Sequence, residues 1–287
     1  MGTIGRSIPK KESFDKVMGT ALYTGDHLDN RMLYARMAIS PFAHALILGI
    51  DTSAAWQVQG IRAILTGECS EVLTGEEIRD RPIIAKDRVR FFGETVAVVV
   101  ADTEVQAKRA ADLIRVRYEP LPVVNSPMEA LRKDAPLVHE RLGEYTKAEG
   151  VVSIPGTNIA SLIKIRKGDM NKGWRESEVI LENTISFMPS DHAAMETRSA
   201  IAEIRPDGYI HIESSTQAPF AVKKFMGLYF GFDPGWIVVK TPLVGGAYGG
   251  KAAIQLELVA YLASRAVGGR KVKIINTREE DMVTSPV

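Results

Sequence analysis

The residues of this chain best suited to chemistry are the run Gly245-Gly246-Ala247-Tyr248-Gly249-Gly250-Lys251. Glycines remove the Cβ that would hold a ligand away, and they permit positive φ, so several main-chain N–H groups can point one way. A short strand, Trp236-Ile237-Val238-Val239, precedes the run, and a helical pattern with Ile254, Leu258, Tyr261 and Leu262 on one face follows it. A helix entered from such a loop adds unpaired N–H groups and the positive end of its dipole. The arrangement suits an oxyanion, a cofactor phosphate or a metal-oxo group; the alternative is a tight strand-to-helix connection with no ligand. Gly245, Gly250 and Lys251 also satisfy the first part of a P-loop. Ala252 stands where that pattern needs a Ser or Thr for Mg²⁺, which makes triphosphate hydrolysis a weak reading.

Three further groups qualify. Ser214-Ser215-Thr216-Gln217-Ala218-Pro219 lies between a strand and a helix, where the Gln217 amide can donate to an oxo group. The same residues also form a common helix entry. His192 and Glu196 have the i, i+4 spacing of a metal pair, but without further ligands nearby a satisfied polar residue or an interface contact is the better reading. Cys69 has no histidine close in sequence and reads as a partly buried thiol rather than a nucleophile. Arg278-Glu279-Glu280-Asp281 reads as a solvated helix start.

The elements that must position these groups divide the chain into an extended charged arm (1–15), a first region (16–124) and a second (125–287). In the first region, residues 32–38 and 61–65 alternate as strands. Thr95–Ala101 is apolar enough to be covered on both faces. A helix follows, with Ala107, Ala110, Ala111 and Ile114 on one side. Pro120 and Pro122 close this unit. In the second region, 142–160 reads as loop, and 178–187, 198–205 and 208–214 read as strands. The last two are joined by a turn at Arg205-Pro206-Asp207-Gly208. Ala218–Phe230 reads as helix and Lys271–Ile275 as a further strand. The fold class expected is α+β.

Composition narrows the function classes. With 287 residues, two domains are expected at roughly 100–200 residues each. Lys and Arg (36) almost cancel Asp and Glu (35), so nothing in the charge favours nucleic acid or an anionic membrane. One cysteine excludes a disulfide framework. It also excludes an iron–sulfur cluster held by these residues alone, which needs about four thiolates. The first fifteen residues lack the apolar centre of a secretory signal, and no run approaches the roughly 20 residues of a membrane span, so a cytoplasmic protein is expected.

Taken together, the motifs resemble one family. Residues 16–26 (KVMGTALYTGD), Leu33-Tyr34-Ala35 through Ala45, 89–97 (VRFFGETVA) and 116–122 (VRYEPLP) are similar to the opening and the a/b hammerhead domain of the molybdenum-binding large subunit of the xanthine dehydrogenase/aldehyde oxidase family. His192–Glu196, Ser215–Pro219 and the glycine run are similar to the first part of that family's mixed α/β molybdopterin-binding domain. The resemblance implies oxidation of a carbon next to nitrogen, or of an aldehyde carbon, with oxygen drawn from water. It implies a molybdenum–molybdopterin cofactor, usually the cytosine dinucleotide form in bacteria. It also implies [2Fe-2S] and FAD groups on partner domains or subunits. Gln217 would then hydrogen-bond an oxo ligand of molybdenum. Tyr248 and Gly249 would face the same group through main-chain N–H, and Gly245, Gly246, Ala247 and Gly250 would let the cofactor approach. No residue is expected to bind the metal directly. Family sequences continue well beyond the counterpart of Val287, and the general-base Glu is expected there. The chain is therefore expected to be inactive alone and to need the remaining molybdenum-binding half. Purine-oxidising members carry a Glu where Ala252 stands, which disfavours xanthine and hypoxanthine. A non-catalytic or assembly module that keeps the fold without cofactor is the competing expectation.

Overall fold

A computed structural model of the chain describes residue 2 and residues 4–284. Along the chain the strands are β1 (Leu33–Ile39), β2 (Ala45–Asp51), β3 (Ile61–Thr66), β4 (Leu73–Thr74), β5 (Arg81–Pro82), β6 (Arg88–Val89), β7 (Thr95–Ala101), β8 (Arg115–Pro120), β9 (Ser199–Ile204), β10 (Ile210–Ser214), β11 (Ile237–Lys240) and β12 (Val272–Ile275). The helices are α1 (Ser13–Met18), α2 (Ser53–Trp56), α3 (Glu104–Ala111), α4 (Pro127–Ala130), α5 (Met170–Glu176), α6 (Pro219–Phe230), α7 (Leu256–Ala266) and α8 (Arg278–Thr284).

Two compact units result. The larger runs from the N-terminal arm to Val72, takes in Pro82–Leu121, and resumes at His192; the smaller comprises Leu73–Arg81 and Pro122–Asp191. The larger unit draws on both sequence regions flanking residue 124, because one seven-stranded sheet is assembled from both. Its order is β11-β10-β9-β12-β1-β7-β3. β12 runs parallel to β1 and antiparallel to β9, with Leu33 opposite Val272 and Ala202 also opposite Val272.

The sheet is held by apolar burial on both faces. In β7, Val98 and Val100 join the main core with Leu33, Ala35, Ile212 and Ile274, under α6 and α7. Ala97 and Val99 point the other way, into a cluster with Ala110 and Ala111 of α3. The unbroken apolar run of β7 is thus explained by cover on both sides. Thr103 opens α3 by accepting the Gln106 N–H on its hydroxyl, and Ala107, Ala110, Ala111 and Ile114 are buried. The β9–β10 hairpin turns at 205–208: Gly208 has φ +88° and donates to the Arg205 carbonyl at 2.9 Å.

Two sequence expectations are corrected, at 178–187 and in the N-terminal arm. Residues 178–187 carry alternating apolar side chains but form no ladder among the described residues. Val179, Leu181, Ile185 and Phe187 stand 75–90% exposed, so the pattern marks a face with nothing to bury it here. The prolines after Tyr118 close this stretch as expected, with Leu121 the last residue of that segment of the larger unit. Pro120 ends β8 at the edge of the three-stranded sheet β6-β2-β8, where a missing N–H is tolerated. β2 itself was not read from the sequence. The charged arm is helical from Ser13, and Gly19 caps that helix at φ +71°.

The smaller unit contains α4 and α5. Each opens on a side-chain cap: Ser126 accepts the Glu129 N–H and Asp169 the Lys172 N–H. Among the described residues no helix is long and apolar enough to cross a membrane.

Candidate functional site

The glycine run lies between β11 and α7, on the larger unit. The strand–loop–helix order holds, but the run does not itself open the helix. Ala252–Gln255 intervene and α7 begins at Leu256, after Ile254. The loop is instead closed by its own turns, Gly250 N–H to the Ala247 carbonyl (2.8 Å) and Ala252 N–H to the Gly249 carbonyl (3.1 Å). Helix-dipole assistance from α7 is therefore not part of this site.

Two segments grip the loop. At the first, residues 192–198 lead into β9. The Gly245 N–H donates to Glu196 Oε2 at 2.7 Å, and the Glu196 N–H donates to the Gly245 carbonyl at 3.0 Å. Lys251 Nζ meets the same carboxylate oxygen at 2.8 Å. The Arg198 guanidinium donates to the Gly250 carbonyl through Nε (3.2 Å) and Nη2 (2.5 Å). At the second, the end of β10 leads into α6. Gln217 N–H and the Thr216 hydroxyl both donate to the Lys251 carbonyl, each at 3.1 Å. Thr216 also accepts the Ala218 N–H, and Pro219 stands in the first turn of α6, as a helix entry expects, although no side chain caps that helix.

These grips explain two glycines without any ligand. A Cβ at Gly245 would lie 2.6 Å from Glu196 Cβ, and one at Gly250 would lie 2.7 Å from His192 Nδ1. Gly245→Ala is expected to cost about 1–3 kcal/mol, the usual range for overpacking. Gly173→Ala, where a Cβ meets nothing within 4 Å, should show no such loss in parallel thermal melts. Gly246 (φ +99°) and Gly249 (φ +100°) are needed for conformation, and Tyr248 between them also takes a left-handed φ of +53°.

Sequence reasoning placed Gln217 with Gly245, Gly246, Ala247, Tyr248, Gly249 and Gly250, and the fold brings them together. The Gly249 N–H donates to Gln217 Oε1 at 3.1 Å. Because that contact needs an acceptor, it fixes which end of the amide faces the loop. The Gln217 NH₂ group is left unengaged among the described residues, on an exposed side chain. The N–H groups of Gly246, Ala247 and Tyr248 likewise have no partner among the described residues, and Tyr248 is 77% exposed. Three main-chain donors and one amide donor on an open loop are groups of the kind that receive an anionic or oxo-bearing ligand.

Lys251 is buried against Glu196, so it cannot serve a phosphate as a P-loop lysine does. Glu196 is engaged by Gly245 and Lys251, and among the described residues no group of three His, Cys, Asp or Glu side chains could hold a metal ion. The charged stretch 278–281 does start a helix, α8, but is solvated only in part, with Glu279 exposed. Asp281 is buried and its Oδ1 accepts the Arg198 N–H (3.0 Å), Arg198 Nη1 (3.2 Å) and Asn276 Nδ2 (3.2 Å). Arg278 Nη2 donates to the Ala194 and Met195 carbonyls. The one signal for this network was an arginine, Arg198, at the mouth of an otherwise apolar strand. Burial pushes the Cys69 thiol up from its ordinary value, which agrees with an unreactive side chain.

Comparison with known proteins finds two family models along the chain. The family model described as molybdopterin cofactor-binding domain matches residues 153–287. That for the a/b hammerhead domain of aldehyde oxidase and xanthine dehydrogenase matches residues 18–122. A probable xanthine dehydrogenase subunit of Bacillus subtilis is 31% identical over 93% of this chain and 34% of its own length. The nicotinate dehydrogenase large molybdopterin subunit of Eubacterium barkeri is 27% identical over 98% of this chain and 63% of its own. Among solved structures, the reconstituted CO dehydrogenase from Oligotropha carboxidovorans superposes with a TM-score of 0.86 at 26% identity. That match covers 96% of this chain and 35% of the other. The chain thus spans less than two thirds of these relatives.

Proposed function

This chain belongs to the xanthine dehydrogenase/aldehyde oxidase family of molybdenum hydroxylases, as part of the molybdenum-binding large subunit, and we propose that it supplies one wall of the cofactor pocket. The observation that carries the proposal is the Gln217–Gly249 hydrogen bond beside the unpaired N–H groups of 246–248. When bound, a molybdenum–molybdopterin centre supplies two-electron oxidation of a substrate carbon with oxygen taken from water. This chain's part is binding and orientation. Gly249 holds the Gln217 carbonyl so that the amide NH₂ is free to donate to an oxo group. The N–H groups of Ala247 and Tyr248 offer fixed dipoles in a loop that is already shaped, which costs no reorganisation on binding. Gly246 keeps the main chain approachable.

The substrate class proposed is an N-heterocycle or an aldehyde. Ala252 offers no carboxylate to hold a purine. The general base, the [2Fe-2S] groups and the FAD are assigned to partner segments or subunits, since Cys69 cannot hold a cluster and the nearby Glu196 is turned away into its own contacts with Gly245 and Lys251. The exposed apolar residues of 178–187 support a partner, because a face of this kind is ordinarily covered. Alone, the chain is expected to be inactive.

The test is the composition of the native assembly. Purified with the subunits that co-assemble with it, the protein is expected to carry molybdenum and pterin in near-equal amounts, with CMP released on hydrolysis if the pterin is the cytosine dinucleotide form. A stable assembly lacking both would leave the non-catalytic module as the correct reading.

A further inference from the structure

Lys251 joins the two segments that grip the loop. Its side chain reaches Glu196, while its carbonyl is held by Gln217 N–H and the Thr216 hydroxyl. Lys251 is only 4% exposed, and Glu196 Oε1 is buried with no hydrogen-bond partner among the described residues. A buried ion pair of this kind is an expensive way to gain stability, since an apolar pair of similar volume usually serves as well. Its value lies elsewhere when it fixes one arrangement among several.

The arrangement at stake is the main chain of 246–249. A run so rich in glycine loses much conformational freedom when ordered, and its N–H groups would otherwise be free to turn toward water or loop carbonyls. Anchors at Gly245 and at Gly250–Lys251 shorten the free run to these four residues. Within it, only Gly249 N–H is engaged among the described residues, by Gln217. We infer that the Glu196–Lys251 pair is a positioning latch, which holds residues 246–248 in the conformation that receives the cofactor. The inference rests on the cofactor reading of the loop. Neither side chain is assigned contact with the cofactor. Each acts through Gly245 and through the hold of Lys251 on Gln217.

Amide hydrogen exchange on the full chain, with pterin and molybdenum content of the assembled enzyme, tests it in Lys251→Met, Lys251→Arg and Glu196→Gln. In Lys251→Met the Gly249 and Gly250 amides are expected to exchange about tenfold faster or more, while β9 and β10 amides stay within about twofold. Lys251→Arg, which keeps the charge, is expected to restore most of the protection, and pterin content should follow loop protection across the series. Should Lys251→Met fail to fold, Glu196→Gln keeps the volume and removes the carboxylate charge, and carries the same expectation. Unchanged exchange at Gly249 and Gly250 overturns the latch, whatever the cofactor content. A loosened loop with full pterin overturns its link to the cofactor. A wild-type assembly without pterin overturns the functional reading instead.

Discussion

Asp281→Ala is expected to destabilise the larger unit by about 3–5 kcal/mol, the range for removing one partner of a buried, hydrogen-bonded ion pair. The carboxylate is buried and a single oxygen, Oδ1, collects three donors, two of them from Arg198. Without it the Arg198 guanidinium keeps the Gly250 carbonyl but loses the Asp281 carboxylate. Because Arg198 is also what fastens the loop at Gly250, the loss reaches the candidate site as well as the sheet. Urea unfolding followed by circular dichroism measures it. A double variant, Arg198→Met with Asp281→Leu, separates charge burial from packing: it should recover much of the loss, since neither charge is then left alone. A single-variant change below about 1 kcal/mol would show that α8 merely lies on the surface, as the sequence had suggested.

The second large effect is expected on activity. Gln217→Ala in the assembled enzyme is expected to lower kcat by about 10²–10³, the usual consequence of deleting one preorganised donor. Stability should stay within about 0.5 kcal/mol, because the side chain is exposed and accepts a single hydrogen bond. Gln217→Glu sharpens the test. A carboxylate still accepts the Gly249 N–H and keeps the loop closed, but it has no N–H to donate. If donation is the function, both variants lose activity; if Gln217 only fastens Gly249, the Glu variant retains it.

Much of the fold was legible because its signals are local. The apolar run of β7, the alanine face of α3 and the turn at 205–208 each declare themselves within a dozen residues. The candidate site rests on a different signal: Gln217 and the glycine run carry ordered motifs that resemble one family, and the fold sets Gln217 beside Gly249. What escaped was non-local. The Glu196–Lys251 and Arg198–Asp281 pairs join residues far apart in sequence, and nothing in the composition of 278–281 separates a buried carboxylate from a solvated one. The strand expected at 178–187 failed in the opposite sense. Alternation reports what a segment would bury, whereas a ladder needs a neighbouring backbone, which these residues lack among those described.

The place of β12 in the large sheet bears on how the protein is made. This strand lies between β1 and β9, and β1 has only β7 on its other side. On the ribosome, β1, β7 and β3 emerge early and can zip together, yet one flank of β1 stays bare until residues 272–275 clear the exit tunnel. Until those residues are made the nascent chain therefore carries an open strand edge, with Leu33 and Ala35 awaiting cover from helices made after β7. Closure by such distant partners is slow, so yield in a foreign host should respond to chaperone supply and to growth temperature more than to codon choice.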